Sequence, residues 1–158
     1  MMDLVLGLDP GNEKFGWAYV NADGSLVASG IIPSMLAEGL MDFLLAGNLQ
    51  ELRPYTLENP GTTPGLEPPS SILVGNGTAR QALYRLLDSK GKAFRVVDEA
   101  YTTIEARSLY WELHPPHGWR RLLPKGLRIP PRIVDDLAAW ALVRRFLSSA
   151  AEYRRDAD

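Results

Sequence analysis

Three carboxylates, Asp9, Glu99 and Asp135, stand where an α/β protein would build a site. Val5–Asp9 is a short apolar run closed by Asp9-Pro10-Gly11, a strand followed by a tight turn. Phe94–Val97 is a second apolar run, ended by Asp98-Glu99. Asp135 falls in the first turn of the closing helix. Sites in open α/β sheets form at the carboxyl ends of strands. Acids converging there would repel one another unless a divalent cation neutralised them. Hard oxygen donors with no thiol and no paired histidine suit Mg2+ or Mn2+. Two such ions about 4 Å apart can activate a water and stabilise a leaving oxygen, the chemistry of phosphodiester hydrolysis. Taken singly, each acid also has an ordinary explanation: a turn residue, a solvated strand end, and an acid favoured by the helix dipole.

A phosphate-bearing substrate would need a basic face, and one segment offers it. From Leu113 to Val134 there is no acid, while Arg120, Arg121, Lys125, Arg128 and Arg132 all fall there, with Trp119 among them. Arginines interleaved with an aromatic ring suit a surface that tracks a nucleic-acid backbone and stacks bases. A solvated loop with one tryptophan packed down as an anchor is the other reading. Lys14, just after the Asp9 turn, is placed to reach a phosphate or to lie in solvent. Asn76 and Thr78 are expected to open a helix beside the site, as simple caps or as an anion-binding N-terminus. His114 and His117 are separated by two prolines, which forbid a helix there and favour a structural role over metal binding.

The elements that must carry these residues read as follows. A meander opens the chain: Val5–Asp9, Gly16–Val20 and, after the turn at Asn21–Gly24, Leu26–Ile32. A helix is expected over Met35–Ala46 with Ser34 as its N-cap. Arg53–Ser71, rich in Pro, Gly and Thr, reads as a long loop. Ile72–Gly75 is a buried strand, and the next helix is expected from Asn76 with Ala82, Leu83, Leu86 and Leu87 on one face. Thr102 and Glu105 have capping-box spacing for a helix through about Tyr110. Leu113–Pro131 holds five prolines and reads as a second loop. The last helix is expected from Arg132 or Ile133 to Ser148, with Val134, Leu137, Ala138, Ala141, Leu142 and Phe146 inward. Three antiparallel strands followed by alternating helices and strands predict an α/β domain. Its sheet would be mixed and five-stranded, with helices on both faces, in the ribonuclease H-like order.

Composition sets the outer bounds. The 158 residues suffice for one domain, expected at residues 1–150 with a short charged tail at 151–158. With 46% hydrophobic residues the chain can bury a core. There are no cysteines, which excludes disulfides, thiolate metal sites and cysteine nucleophiles. No apolar run approaches membrane-spanning length. The first nine residues meet an acid almost at once with no basic leader, so they read as a strand and not as a signal peptide. The cytoplasm is the default expectation. The net charge of −2 neither requires nor excludes a nucleic-acid partner, since what phosphates need is a local basic face.

Four segments carry a family resemblance. Leu6-Gly7-Leu8-Asp9-Pro10-Gly11-Asn12-Glu13-Lys14-Phe15-Gly16-Trp17-Ala18 resembles the opening of the RuvC-like nucleases. Val97-Asp98-Glu99-Ala100-Tyr101-Thr102-Thr103-Ile104-Glu105-Ala106-Arg107 resembles the middle motif of the YqgF branch of that group. Val134-Asp135-Asp136-Leu137-Ala138-Ala139 resembles the same branch's closing helix, and Ile72–Gly75 its central strand ending in glycine. That branch comprises Holliday junction resolvase-like proteins, also described as pre-ribosomal RNA nucleases, in the ribonuclease H-like superfamily. The resemblance implies Asp9, Glu99 and Asp135 as metal-binding catalytic acids, with Asp136 the weaker substitute for Asp135. Two departures stand out. Ala100 replaces the family's arginine, and Arg132 occupies the place where RuvC-type sites often carry a fourth acid.

The resulting expectation is a Mg2+- or Mn2+-dependent nuclease acting on RNA precursors or branched DNA, as a monomer or, for paired junction cuts, a homodimer. Lys14, Trp119, Arg120, Arg121, Lys125, Arg128 and Arg132 are its expected nucleic-acid contacts. The competing expectation is a non-catalytic nucleic-acid-binding or ribosome-associated module that keeps the fold. A sugar-kinase or actin-like ATPase would need two such domains to enclose a nucleotide.

Overall fold

The first strand, β1 (Leu4–Asp9), sends alternate side chains to opposite faces, as strand geometry requires, and both faces are covered. Leu4, Leu6 and Leu8 enter one core and Val5 enters the other. The computed structural model describes residues 3–100 and 102–157, with side chains to Ala150. Met1, Met2, Tyr101 and Asp158 lie outside the described residues, as do the side chains of the tail expected at 151–158.

β1 pairs antiparallel with β2 (Lys14–Asn21), which pairs antiparallel with β3 (Leu26–Pro33). β3 is followed by a 3-10 turn (Ser34–Leu36), α1 (Ala37–Ala46) and the single-turn α2 (Leu49–Leu52). β4 (Thr56–Glu58) then returns antiparallel to β3. On the other side of β1, β5 (Ser71–Gly75) and β6 (Arg95–Val97) add in parallel, with α3 (Arg80–Ser89) between them. α4 (Thr102–Leu113) and α5 (Asp135–Ala157) complete the chain, joined by a loop with two 3-10 turns, Gly118–Leu122 and Lys125–Leu127. The strand order is β4-β3-β2-β1-β5-β6. The first core packs α1, α2 and α3 on one face of the sheet, and the second packs α4 and α5 on the other.

The mixed sheet with helices on both faces is as expected, but it has six strands, not five. The additional strand is β4, inside the segment read as a loop. Three residues are too few to show a period of two, and β4 is fixed by pairing Glu58 with Ser29 and Thr56 with Gly30. Two helix starts also differ. Ser34 does not cap α1; its hydroxyl donates to the carbonyl of Gly11 at 3.2 Å, and α1 begins at Ala37 without a side-chain cap. α3 begins at Arg80, after Ala79 takes a left-handed conformation (φ 62°). The capping box at α4 is not made, because Glu105 pairs with Arg145 at 2.6 Å. α5 starts at Asp135 and runs past Ser148 to Ala157. No helix is long and apolar enough to cross a membrane among the described residues.

Candidate active site

Two close backbone approaches bring the acids toward one end of the sheet. Asp9 ends β1 and lies in register with Gly16 of β2. A Cβ at Gly16 would sit 2.1 Å from the carbonyl oxygen of Asp135, so only glycine lets the first turn of α5 reach this spot. Across β1, Val74 pairs with Leu8, which puts the following Gly75 level with Asp9. A Cβ at Gly75 would lie 2.1 Å from Glu99 Oε2, and one at Gly77 would lie 1.7 Å from Glu99 Oε1. The Glu99 carboxylate therefore rests on a floor of two glycines. Asn76, between them, accepts a hydrogen bond from the Glu99 backbone N–H at 3.2 Å through Oδ1. Thr102 secures the other side, donating its backbone N–H (3.1 Å) and its hydroxyl (2.8 Å) to the Glu99 carbonyl. Arg145 holds the preceding residue by donating to the Asp98 carbonyl at 3.0 Å.

The electrostatics follow from this packing. Burial pushes the Asp9 carboxyl up to about 8, assisted by a hydrogen bond to Glu99 and by the charges of Glu99 and Asp135. That hydrogen bond requires a proton held by the pair. When both acids are ionised, Glu99 Oε2 is buried with no donor facing it. Among the described residues only one other buried side-chain polar atom lacks a partner, Trp17 Nε1 in the core. Burial also raises Asp135, opposed by the nearby Lys14 ammonium and reinforced by Asp136. The pair therefore holds either a shared proton or a cation. The donors are all hard oxygens, one is orphaned, and one carboxyl is driven far above its ordinary range, which fits a hard divalent ion. Among the described residues, no three His, Asp or Glu side chains form a ready-made metal-holding group. Asp9 and Glu99 are in contact, while Asp135 acts on Asp9 through charge.

Asp136 faces elsewhere. It is fully buried, and its oxygens accept from the Ser29 hydroxyl (2.7 Å) and from Arg132 (2.8 and 3.2 Å). Arg132 also lies 3.4 Å from Glu58, which is 7% exposed and bonded to His114 as well. Arg132 thus joins β4 to α5 within the protein. Arg128 is likewise engaged, donating to the carbonyls of Arg120 (3.1 Å) and Arg121 (3.0 Å). Lys14 lies beside Asp135, and Trp119, Arg120, Arg121 and Lys125 are exposed. Sequence reasoning missed the Gly75-Asn76-Gly77 support for Glu99 and the roles of Ser29 and Arg145. Two glycines around an asparagine just after a buried strand are the one available signal, and by residue type they fit a helix start.

No family model and no curated protein matches this chain. Thirteen solved chains do. The chain is similar to Thermus thermophilus RuvC in complex with a Holliday junction substrate, at 16% identity and a TM-score of 0.49, covering 97% of this chain and 96% of that one. It is also similar to a second Thermus thermophilus RuvC structure, at 18% identity and a TM-score of 0.45, with the same coverage.

Proposed function

We propose that this chain is a divalent-metal-dependent nuclease of the RuvC-like, ribonuclease H-like group, hydrolysing phosphodiester bonds in RNA precursors or branched DNA. The observation that carries the reading is the Asp9–Glu99 pair. Two half-buried carboxyls are in contact, that of Glu99 resting on Gly75 and Gly77, with its buried Oε2 left without a partner. Such an arrangement is costly for folding alone and has a use if a cation completes it. The motifs around Asp9, Glu99 and Asp135 support the same assignment independently.

Asp9, Glu99 and Asp135 would hold Mg2+ or Mn2+, which when bound supplies charge neutralisation at the phosphate and a lowered pKa for an attacking water. The protein's own contribution is positional. Asn76 and Thr102 fix the backbone of Glu99, so its carboxylate enters the site already oriented. Lys14 places a positive charge beside Asp135, favouring the ionised form in an otherwise acidic corner. Arg120, Arg121 and Lys125 supply the basic surface that would retain the backbone of the strand.

The test is cleavage of labelled single-stranded RNA, single-stranded DNA and a four-way junction with Mg2+ or Mn2+, beside an Asp9→Asn control. Metal-dependent cutting that the substitution abolishes is the expected result, and the preferred substrate chooses between RNA processing and resolution. Binding without cutting, unchanged by Asp9→Asn, would establish the non-catalytic module instead.

A further inference from the structure

The outward face of α4 and the loop after it enclose a cleft of about 530 Å³, a size ordinary for a ligand site. Ile104, Arg107 and Trp111 line it from the helix, spaced three and four apart and so on one side, while Ala106 and Leu109 turn to the core. Lys125 and Arg128 close it from the loop. A second cleft of about 310 Å³ adjoins it, lined by Tyr110, His114, Trp119 and Arg120. Trp111 and Pro116 line both clefts.

The walls are held in place without a ligand. Trp111 Nε1 donates to the Arg128 carbonyl at 3.2 Å, and the Arg128 guanidinium ties the loop to itself at Arg120 and Arg121. The remaining charges are uncommitted: among the described residues, Arg107, Arg120, Arg121 and Lys125 enter no ion pair. Glu112, the acid in the larger cleft, faces Arg144 at 3.6 Å. Trp119 is 67% exposed, and the Arg120 guanidinium lies 5.8 Å from its ring centre. The exposed Trp119 ring and the half-buried Trp111 ring, set among unpaired cations, call for a partner with flat apolar surfaces and regularly spaced negative charge. A duplex hides its base faces in the stack; an unpaired strand presents them. α4, whose outward side lines the larger cleft, starts just after Glu99, whose carbonyl accepts from the Thr102 hydroxyl.

We infer that the two clefts that share Trp111 bind an unpaired nucleic-acid strand, with bases against Trp111 and Trp119 and phosphates against Arg107, Arg120 and Lys125. Its bearing on cleavage, the holding of an unpaired segment for the Asp9–Glu99 pair, rests on the nuclease reading. The binding itself does not depend on that reading.

The experiment measures binding of the full chain, in EDTA, to labelled oligothymidylate, oligouridylate, an abasic strand of equal length and a duplex, with polyglutamate as competitor. A base-bearing strand should bind about tenfold or more tightly than the abasic strand, and more tightly than duplex. Trp119→Ala should erase that preference, and Trp119→Phe should keep most of it. Arg107→Ala with Lys125→Ala should weaken every strand and flatten the salt dependence. The inference is overturned if abasic strand or duplex binds as well as the base-bearing strand, if polyglutamate displaces that strand as readily as another strand does, or if Trp119→Ala leaves the preference intact. Base-dependent binding with no cutting in Mn2+ would remove the catalytic reading and keep the clefts; cutting with no base preference would do the reverse.

Discussion

Replacing Asp9 with asparagine should make the metal-free protein more stable while removing its activity. In the folded chain, burial and the neighbouring acids push the Asp9 carboxyl from 3.8 up to about 8. A carboxyl raised in this way contributes stability below its unfolded value, and that contribution is lost as pH rises through the folded one. At neutral pH the unfolded chain ionises Asp9 freely while the folded chain keeps its proton. At about 1.4 kcal/mol per pH unit, the penalty is about 4 kcal/mol. Asp9 is only part-buried, so solvent screening brings the expected gain for Asp9→Asn to about 2 kcal/mol, or about 5 °C in a chain of this size. Thermal unfolding in EDTA, followed from about pH 4 to about pH 8, measures it. The two proteins should coincide at the acidic end and diverge steadily toward the alkaline end, with Mn2+ raising the wild type alone. An Asp9→Asn protein less stable than wild type at about pH 8, or a difference indifferent to pH, would refute the electrostatic account of the site.

Asp136→Ala should destabilise the fold by about 2–4 kcal/mol, because it takes the nearer carboxylate from Arg132 and leaves the buried Ser29 hydroxyl unpartnered; chemical denaturation showing under about 1 kcal/mol would count against the network. Gly77→Ala places a methyl where the Glu99 carboxylate lies, so Mn2+ affinity and cleavage should both fall by about tenfold or more while the melting temperature moves little. Unchanged cleavage would mean that Glu99 does not need its present position. Lys14→Ala removes the charge that opposes the burial of Asp135, whose carboxyl should then ionise at a higher pH. The acidic limb of a cleavage profile should move in the alkaline direction, and a stationary limb would separate Lys14 from the site.

The parts of this design that rest on neighbours in sequence were legible. β1, β2 and β3 announce themselves by length, apolar content and the turns between them, and the acids closing β1 and following β6 stand at strand ends by simple inspection. The pairing of Gly16 with Asp9, by contrast, only makes sense once α5 is seen against it, and nothing local says that Asp135 belongs there. The partners of Asp136 were out of reach for the same reason: Ser29 lies 107 residues away, and Glu58 sits in a strand too short to detect. Asn76 misled because its residue type fits a helix cap, and it was used for the Glu99 backbone instead. Arg132 and Arg128 read as free cations in a segment without acids, but arginine has donors enough to bind carbonyls and distant carboxylates.

α5 has a double employment. Its first turn supplies Asp135, and its next two turns, from Leu137 to Val143, form the backbone of the second core. A chain cut before this helix lacks the third acid and keeps only α4 over that face of the sheet. Competence at the site and closure of the second core thereby depend on one element, and a protease that cuts just ahead of the helix, near Ile133, would extinguish both together.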